Sequence, residues 1–439
     1  MKKNVLLFLA AVLSCYCLCA QDTVKNYWHN KKLMSIGIQV DGKESGVWTY
    51  YHKNGAKWME GTFKDGRKVG LWEVWYDDGN KSQEFYADNG NFTSWYKSGK
   101  IESKGQFSNG VKEGQWLFYY PNGQLIKEYN YVNDSIDGPV TEYHDNGKVK
   151  FTGTFVNGRL SGYVIWYNAD GEKDMEGNMI DDLQEGVWKF YLGGGAVGSQ
   201  GTFIQGLQDG VWIYYFENGN VWKKVNYLQG KRQGLCQAWY ENGKLQREGS
   251  FDNDKENGYW QSFYKNGRPQ DRGTFKAGMM DGKWEGFYDN GRQKYDVSYK
   301  KGERHGKYSY WNDNGKIKAQ GSYNHNLKHG KWREFADNGQ LLESGNYNND
   351  RKEGKWIFYN EREVKVREQN FVHDAPEGAF TEFYPNGKPH FSGNFHNRVK
   401  EGIWSSWDVN GKLIYKVLFK NGQRAQVLLE ADKNLNKPF

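Results

Sequence analysis

The chain has little proline, almost no cysteine beyond its first twenty residues, and no long hydrophobic run after them. Only 7 of its 439 residues are proline, whereas disordered chains are usually enriched in proline. Three of the 4 cysteines (Cys15, Cys17 and Cys19) lie near the N-terminus, which leaves Cys236 alone in the rest of the sequence. A disulfide framework and a cysteine-based metal site are therefore excluded there. No later segment is apolar enough to span a membrane as a helix.

The chain also lacks any long stretch in which all the charges have the same sign. The 60 basic and 53 acidic residues are interspersed, so the basic stripe that a nucleic-acid-binding protein needs is not present. What the sequence has in abundance is glycine, with 55 residues, and aromatic side chains, at 17%. This composition favours many short strands joined by glycine turns.

The N-terminus has the pattern of a secretion signal. Two lysines precede an apolar run from Val5 to Leu13, which is too short for a membrane helix. Residues 1–20 are one predicted leader, cleaved after Ala20 to leave Gln21 first. The alternative is a lipoprotein leader of residues 1–14, with Cys15 carrying the lipid. Both routes predict a periplasmic or secreted protein, and the second adds a lipid anchor in the outer membrane.

A 24-residue repeat dominates the rest of the chain. Glycine recurs every 24 residues from Gly90 to Gly402, and two earlier copies begin at Gly46 and Gly70, which gives sixteen copies. With each of these glycines as position zero, position +2 is Trp in ten copies and position +5 is aromatic in all sixteen. Position +9 is Gly in fifteen copies, and eleven of these follow Asn. Such a period predicts a repeat protein.

The repeat predicts a β-hairpin. Asn-Gly at +8 and +9 is typical of a two-residue type I′ turn, and this turn sets position +2 opposite the recurrent glycine at +15. The indole at +2 is then expected to cover the bare backbone of its neighbour. We predict an all-β, elongated repeat protein with a single long twisted antiparallel sheet of consecutive hairpins. Residues 21–45 form a partial repeat or cap, 46–425 the sixteen copies, and 426–439 a C-terminal cap or tail, with a short amphipathic helix over 426–435.

The sequence leaves open which aromatic side chains are exposed. Positions +2 and +5 have opposite parity, so either a bulge puts them on one face or both faces carry aromatics. Trp58, Trp166 and Trp222 lie outside the recurrent aromatic positions. They are the candidate binding residues, and the alternative is extra cross-strand packing. Trp58 and Trp222 share position +12, which is expected to face +5.

The pattern Tyr-x-Asn-Gly-Lys, then Gly-x-Phe, then Gly-x-Trp resembles the bacterial variant of the MORN repeat. Good matches are Tyr240–Lys244 (YENGK) and Gly282–Trp284 (GKW), and the resemblance covers roughly residues 27–425. It implies the same hairpin sheet, and such bacterial chains are commonly labelled antitoxin-like. A rival resemblance is the choline- or glucan-binding wall repeat, whose aromatics are adjacent, whereas here they are spaced.

No catalytic constellation stands out, so we expect no enzyme, no cofactor and no metal. His305, His325 and His329 are the best metal candidates, and the alternative is that they are polar loop residues. Cys236 occupies a position that usually holds Trp and is expected to be a small buried side chain. The irregular segments Leu192–Gly198 and Asn360–Gln369 are the places where an enzyme site would break the repeat.

Three functions follow from these patterns. The first is a protein-binding or scaffold module in the cell envelope, with a protein partner. The second is a glycan or cell-wall binder, and the third is an antitoxin-like protein by family label. Nucleic acid is not an expected partner, and a membrane is one only through a lipid anchor.

Overall fold

The computed structural model describes residues 21–431, which form 37 strands and no helix. The strand pairings of the described residues are antiparallel, and they join strands that are close in sequence. The predicted all-β fold built from an antiparallel sheet of consecutive hairpins is therefore confirmed. The leader, with Ala20 and Cys15, lies outside the described residues. Within those residues no helix has the length and apolar character needed to cross a membrane.

The described chain divides into two compact units, and the boundary between them lies within residues 197–208. Unit 1 comprises residues 21–197 and 203–207, and unit 2 comprises 198–202 and 208–431. The strands up to the boundary are β1 Gln21–Tyr27, β2 Leu33–Val40, β3 Lys43–Tyr51, β4 Lys57–Lys64, β5 Arg67–Trp75, β6 Lys81–Tyr86, β7 Asn89–Trp95, β8 Ile101–Ser108, β9 Val111–Tyr119, β10 Leu125–Val132, β11 Ser135–Ile136, β12 Gly138–Tyr143, β13 Val149–Val156, β14 Arg159–Leu160, β15 Gly162–Tyr167, β16 Lys173–Ile180, β17 Leu183–Tyr191 and β18 Val197–Ile204.

The remaining strands are β19 Leu207–Tyr215, β20 Val221–Leu228, β21 Lys231–Trp239, β22 Leu245–Asp252, β23 Lys255–Phe263, β24 Pro269–Lys276, β25 Met279–Phe287, β26 Gln293–Lys300, β27 Glu303–Trp311, β28 Ile317–Asn324, β29 Leu327–Phe335, β30 Leu341–Asn348, β31 Arg351–Tyr359, β32 Lys365–Val372, β33 Ala375–Phe383, β34 Pro389–His396, β35 Val399–Trp407, β36 Leu413–Lys420 and β37 Gln423–Glu430.

The first turn of each copy is not the predicted two-residue type I′ turn. In the hairpin of β23 and β24, Gly267 has a positive φ of 90°, but Asn266 does not. The amide of Tyr264 donates to the carbonyl of Arg268 at 2.9 Å, and the Gly267 amide donates to the Tyr264 carbonyl at 2.8 Å. These bonds define a three-residue loop, a type I turn followed by a left-handed glycine. The type I′ turn is instead the second turn, as at Asn157 and Gly158, with φ of 51° and 79°.

A bulge at position +12 restores the predicted register. In the same hairpin Ser262 pairs with Asp271 and Phe263 with Pro269, so Gln270 at +12 stands unpaired. The longer loop and this extra residue offset each other, and Trp260 still pairs with Gly273 as predicted. The expectation that +12 faces +5 is wrong, because the residue across from +5 is +11.

Each tryptophan at +2 covers a glycine of the preceding copy, not its own hairpin partner as expected. The Cβ of an alanine at Gly273 would lie 2.2 Å from Cδ2 of Trp284. The indole Nε1 of Trp284 also donates to the carbonyl of Thr274 at 3.1 Å. This placement depends on a second bulge, in which residues 282–284 stand opposite Gly273. Gly282, at position zero, has a φ of 78° there, a conformation that favours glycine.

The two faces of the sheet differ in burial. Positions +2, +15 and +17 share one face, which we call the tryptophan face, and nine of the ten tryptophans at +2 keep 3% or less of their surface exposed. Positions +1, +3, +5, +14 and +16 share the opposite face. The +5 rings are half-buried there in all sixteen copies, so both faces carry aromatics.

Lysines cover the tryptophan face. Lys352 Nζ lies 4.0 Å from the ring centroid of Trp356, and Lys68 Nζ lies 4.4 Å from that of Trp72. Both lysines stand two residues before position zero of their copies, and a lysine lies over the tryptophan from the same position in other copies. Burial of Lys68 against the tryptophan face lowers the pKa of its ammonium group. These contacts combine a cation–π interaction with cover for the ring.

The Tyr-x-Asn-Gly-Lys motif ties each copy to the next. Tyr240 Oη donates to the carbonyl of Phe263 at 2.8 Å, and Lys244 Nζ donates to the carbonyl of Asn266 at 2.8 Å. Asn242 Nδ2 donates to a carbonyl of the same following loop at 3.3 Å. The most specific motif of the sequence is therefore structural, because its three polar side chains satisfy backbone carbonyls of the neighbouring hairpin.

The end of the described chain is a strand. Residues 426–430 lie in β37, which pairs with β36, so the predicted helix over 426–435 is wrong for these residues; residues 432–435 lie outside the described part. Strand β36 contributes Tyr415, Val417 and Phe419 to a cluster with Trp404, all buried to 5% exposure or less. Alternating apolar side chains in β36 favour this pairing over a helix.

Candidate functional site

Two of the three candidate tryptophans occupy equivalent grooves. Trp58 in unit 1 and Trp222 in unit 2 both stand at the unpaired +12 bulge of their hairpins. They are 41% and 43% exposed, whereas the tryptophans at +2 are buried. Because of the bulge, the side chain at +12 does not follow the regular alternation of side chains between the two faces of the sheet. It is turned towards the first loop of the next copy.

The groove at Trp222 is the larger of the two. It encloses about 720 Å³ between Trp222 and the next copy, and its residues are Phe216, Trp222, Trp239, Tyr240, Glu241, Asn242, Gln246 and Lys265. The ring centroids of Phe216 and Trp222 are 6.3 Å apart. Lys223 Nζ lies 4.9 Å from the Trp222 centroid. The Glu241 carboxylate accepts a hydrogen bond from Asn218 Nδ2 at 3.3 Å.

The groove at Trp58 has the same plan with different polar groups. It encloses about 620 Å³, and Trp75 and Tyr76 take the places that Trp239 and Tyr240 have in unit 2. Asp77 takes the place of Glu241, but Lys97 Nζ lies 2.8 Å from it. The hydrogen bond and charge of Lys97 lower the pKa of the Asp77 carboxyl. Asp77 is thus already paired with a cation.

Trp166 does not belong to this set. It lies at +4 of its copy, half-buried on the tryptophan face. Its ring centroid is 4.8 Å from that of Phe151 and 5.9 Å from that of Trp188. The structure therefore places Trp166 in cross-strand aromatic packing and brings only Trp58 and Trp222 to comparable exposed positions.

The grooves can hold a ligand that offers a flat apolar face and hydroxyl groups. Ring faces of Trp and Tyr stack on flat ligand surfaces, and Glu241 and Gln246 supply hydrogen-bonding atoms at the rim. A few placed polar groups in an aromatic groove are typical of small-molecule sites. No catalytic arrangement follows from these side chains.

A second exposed feature was missed by the sequence reasoning. In unit 2, Val211, Leu235 and Tyr259 occupy position +1 of three consecutive copies on the face opposite the tryptophans, and they are 52%, 48% and 54% exposed. We call these three residues the apolar row. Their cross-strand partners are Asn226, Ser250 and Thr274. The sequence signal was available, because position +1 is apolar in these copies and Lys in the next four.

The histidine group does not form a metal site. His305 and His325 have ring centroids 5.4 Å apart, but Nδ1 of His325 lies 2.7 Å from Glu303 Oε2. His329 is in strand β29, where it pairs with Ser322. Among the described residues no group of three His, Cys, Asp or Glu side chains is arranged to bind a metal ion.

Cys236 lies in the position that tryptophan usually holds, opposite Gly249. It is half-buried and unpaired. Burial raises the pKa of its thiol, which disfavours the reactive thiolate. The two irregular segments continue the repeat: Val197 begins β18, and Glu363 takes the left-handed position of the first loop with a φ of 55°.

Comparison with known families decides the classification. The model of the MORN repeat variant matches ten segments that together make up half of the chain: residues 44–65, 88–109, 112–133, 136–157, 208–229, 232–253, 304–325, 328–349, 376–397 and 400–421. The chain belongs to the MORN repeat variant family. Each match begins two residues before one of the sixteen repeat glycines. As a MORN repeat protein it is a repeat-based binding or scaffold module.

Solved structures add little to this assignment. A crystal structure of TcdB2-TccC3-Cdc42 is 10% identical, with 90% of this chain and 24% of that chain covered and a TM-score of 0.15. The Tc holotoxin pore of Photorhabdus luminescens is 12% identical, with 93% and 24% covered and a TM-score of 0.14. This chain thus spans about a quarter of those proteins, and TM-scores this low carry no argument. No curated protein sequence matches the chain.

Proposed function

We propose that this MORN repeat protein is a non-catalytic protein-binding scaffold that works outside the cytoplasm. The observation that carries the proposal is the apolar row. Three large apolar side chains on consecutive copies, each about half exposed, form a surface that soluble proteins usually reserve for partners. Neighbouring members are two strands apart, roughly 10 Å.

The fold itself does not require apolar residues in the row. Lys283 and Lys307 occupy the same position in hairpins of the same length and register. Each pairs with a serine, much as Leu235 pairs with Ser250. Because equal hairpins form with Lys at +1, the apolar identity of the row is explained by contact with another molecule.

Site-specific photocrosslinking in intact cells tests this proposal. A photoreactive residue in place of Leu235 should capture one dominant protein, and the same residue in place of Val47, an exposed +1 residue in unit 1, should not. The combined change Val211→Ser, Leu235→Ser and Tyr259→Ser should abolish co-purification of that protein. The matched change Val47→Ser and Leu71→Ser, at +1 in unit 1, should leave it intact. Equal capture from both crosslinking positions would contradict the proposal.

Export rests on the leader sequence. A full-length chain should fractionate with the envelope or the medium, and a chain that lacks residues 1–20 should stay in the cytoplasm. Replacing Cys15 with Ser separates the two processing routes, because only the lipoprotein route requires that thiol. Recovery of the full-length chain in the cytoplasm would remove this part of the proposal.

Glycan binding is the second candidate, and the groove at Trp222 favours it. Stacking of a sugar ring on Trp222 or Trp239 should change tryptophan fluorescence when peptidoglycan fragments or cell-wall oligosaccharides are added. Trp222→Ala should remove the response. Leu342→Ala alters an exposed apolar residue at the same +12 position, and it should have no effect. The absence of any binding on a glycan array would eliminate this candidate.

A further inference from the structure

Position +1 in unit 2 changes from apolar to cationic along the chain. After the apolar row, the next four copies carry Lys283, Lys307, Lys331 and Lys355 at this position. All four are exposed on the face opposite the tryptophans. The two outer lysines and the two inner ones have different surroundings, and this difference defines a site.

The outer two lysines are paired with carboxylates. Lys283 Nζ lies 2.7 Å from Glu285 Oε1 and 3.2 Å from Asp296 Oδ2. Lys355 Nζ lies 2.8 Å from Glu368 Oε2. These carboxylates occupy positions +3 and +14 of their copies, which flank +1 on the same face. Their presence leaves little net charge at the two ends of the lysine series.

The inner two copies have no carboxylate at those positions. Positions +3 and +14 are Ser309 and Gln320 in one copy, and Arg333 and Ser344 in the next. Arg333 pairs with Gln320 on β28 and with Ser344 on β30. Its guanidinium group therefore adds a third exposed cation, and uncharged hydrogen-bonding side chains stand on both sides of it.

The residue before position zero has also lost its acid in these copies. The residue before position zero is Asp281 in the copy before and Glu353 in the copy after, and their carboxylates accept the amide protons of Lys301 and His373. The inner copies have His305 and His329 instead. Position +14 and the residue before position zero thus carry a carboxylate in both outer copies and none in the two inner copies.

We propose that Lys307, Lys331 and Arg333, with Gln320, Ser344 and Asn346, form a basic patch that binds a carboxylate-rich segment of a protein partner. The inference rests on the proposed function, since the partner is the one that covers the apolar row. Arginine matches a carboxylate with two parallel hydrogen bonds, and Lys331 lies two residues away on the same strand face. Asn346, paired with Lys331, supplies a neutral donor.

Continuity with the apolar row favours a protein over an anionic glycan. Both features occupy position +1 of unit 2 on one face of the sheet, and position +1 recurs every second strand. A protein surface can present aliphatic side chains beside Asp and Glu, whereas a charged polysaccharide has no aliphatic counterpart for Val211, Leu235 and Tyr259. One occupant of both features is therefore a protein.

Direct titration with an acidic peptide tests the basic patch without knowledge of the partner. Fluorescein-labelled poly-L-glutamate should bind the full chain in fluorescence anisotropy, and binding should weaken as salt screens the charges. The double variant Lys331→Gln, Arg333→Gln should weaken binding about tenfold. The control Lys283→Gln, Lys355→Gln removes the same charge from paired lysines, and it should change binding less than about twofold.

The outcomes separate this inference from the proposed function. Equal loss in both double variants would overturn the basic patch, because binding would then follow net charge alone. Binding of heparin at the patch without binding of poly-L-glutamate would also overturn it, in favour of an anionic glycan. The serine variant of the apolar row should bind poly-L-glutamate normally. Failure of crosslinking with an intact acidic-peptide response would contradict the proposed function and leave the basic patch standing.

Discussion

The indole of Trp284 lies flat on the backbone of Gly273, and no side chain larger than hydrogen fits between them. A Cβ atom on Gly273 would approach the ring to 2.2 Å. The same contact recurs wherever position +2 is tryptophan, and it joins one copy to the copy before it. This contact explains why a glycine at +15 of one copy goes together with a tryptophan at +2 of the next copy.

Gly273→Ala should therefore destabilise unit 2. The added methyl group forces the indole away from the strand, and overpacking of this kind costs about 1–3 kcal/mol. Urea unfolding followed by tryptophan fluorescence measures the change. Gly193→Ala is the control, because no atom lies within 4 Å of the added methyl group, and it should be close to neutral.

Trp116→Phe should cost more than Trp72→Phe. Both indoles are buried over a glycine and beneath a lysine. Nε1 of Trp116 donates to the carbonyl of Gln106 at 3.1 Å, whereas Nε1 of Trp72 is buried without a partner in the described chain. Phenylalanine thus breaks a hydrogen bond only at position 116, and the expected difference is about 1 kcal/mol. Equal urea midpoints for the two variants would show that this bond contributes nothing.

Asn266→Ala should weaken the contact between neighbouring copies. Its Oδ1 accepts from the amide of Arg268, and its Nδ2 donates to the carbonyl of Asp289, each at 2.9 Å. Loss of both bonds is expected to cost about 1–2 kcal/mol. In the last copy Asp408 accepts from the Lys412 amide instead of Asn410. Asn410→Ala is therefore the matched control, and differential scanning calorimetry should show little change for it.

His396 should titrate above its ordinary pKa of 6.5, because Glu377 lies 2.8 Å from its Nδ1 and raises the pKa. The same contact lowers the pKa of Glu377. The pair stabilises the fold only while both groups are charged. That contribution disappears as pH rises through the folded-state pKa of His396, and also as pH falls through that of Glu377.

Proton NMR titration of the His396 ring provides the measurement. Glu377→Gln should lower the pKa of His396 towards its ordinary value. Glu401→Gln should lower it less, since Glu401 is the smallest contributor to the shift. An unchanged titration curve in Glu377→Gln would mean that the contact does not persist in solution.

The sequence was sufficient to predict the hairpins but not their turns. The pairing of Trp260 with Gly273 follows from the repeat period and from strand alternation. The bulge at Gln270 does not, because a two-residue loop without a bulge and a three-residue loop with one give the same pairing. The direction of each indole depends on the other bulge, at Gly282, which moves the ring towards the preceding copy.

The candidate sites show the same limit. Trp58 and Trp222 stood out because they break the aromatic pattern, yet their exposure depends on the +12 bulge. The apolar row was overlooked because Val211 and Leu235 resemble ordinary strand residues until burial shows that they face solvent. Comparison of position +1 between copies would have found it.

The bonds made by Tyr240, Asn242 and Lys244 all reach forward, while the indole at +2 reaches back. This gives the array a direction that matters during synthesis on the ribosome. The tryptophan of a hairpin that has just emerged can cover the glycine of the preceding copy at once. The three side-chain donors of the same hairpin have no acceptors until the next hairpin has been synthesised. Growth of the sheet is therefore expected to proceed one hairpin behind the nascent end.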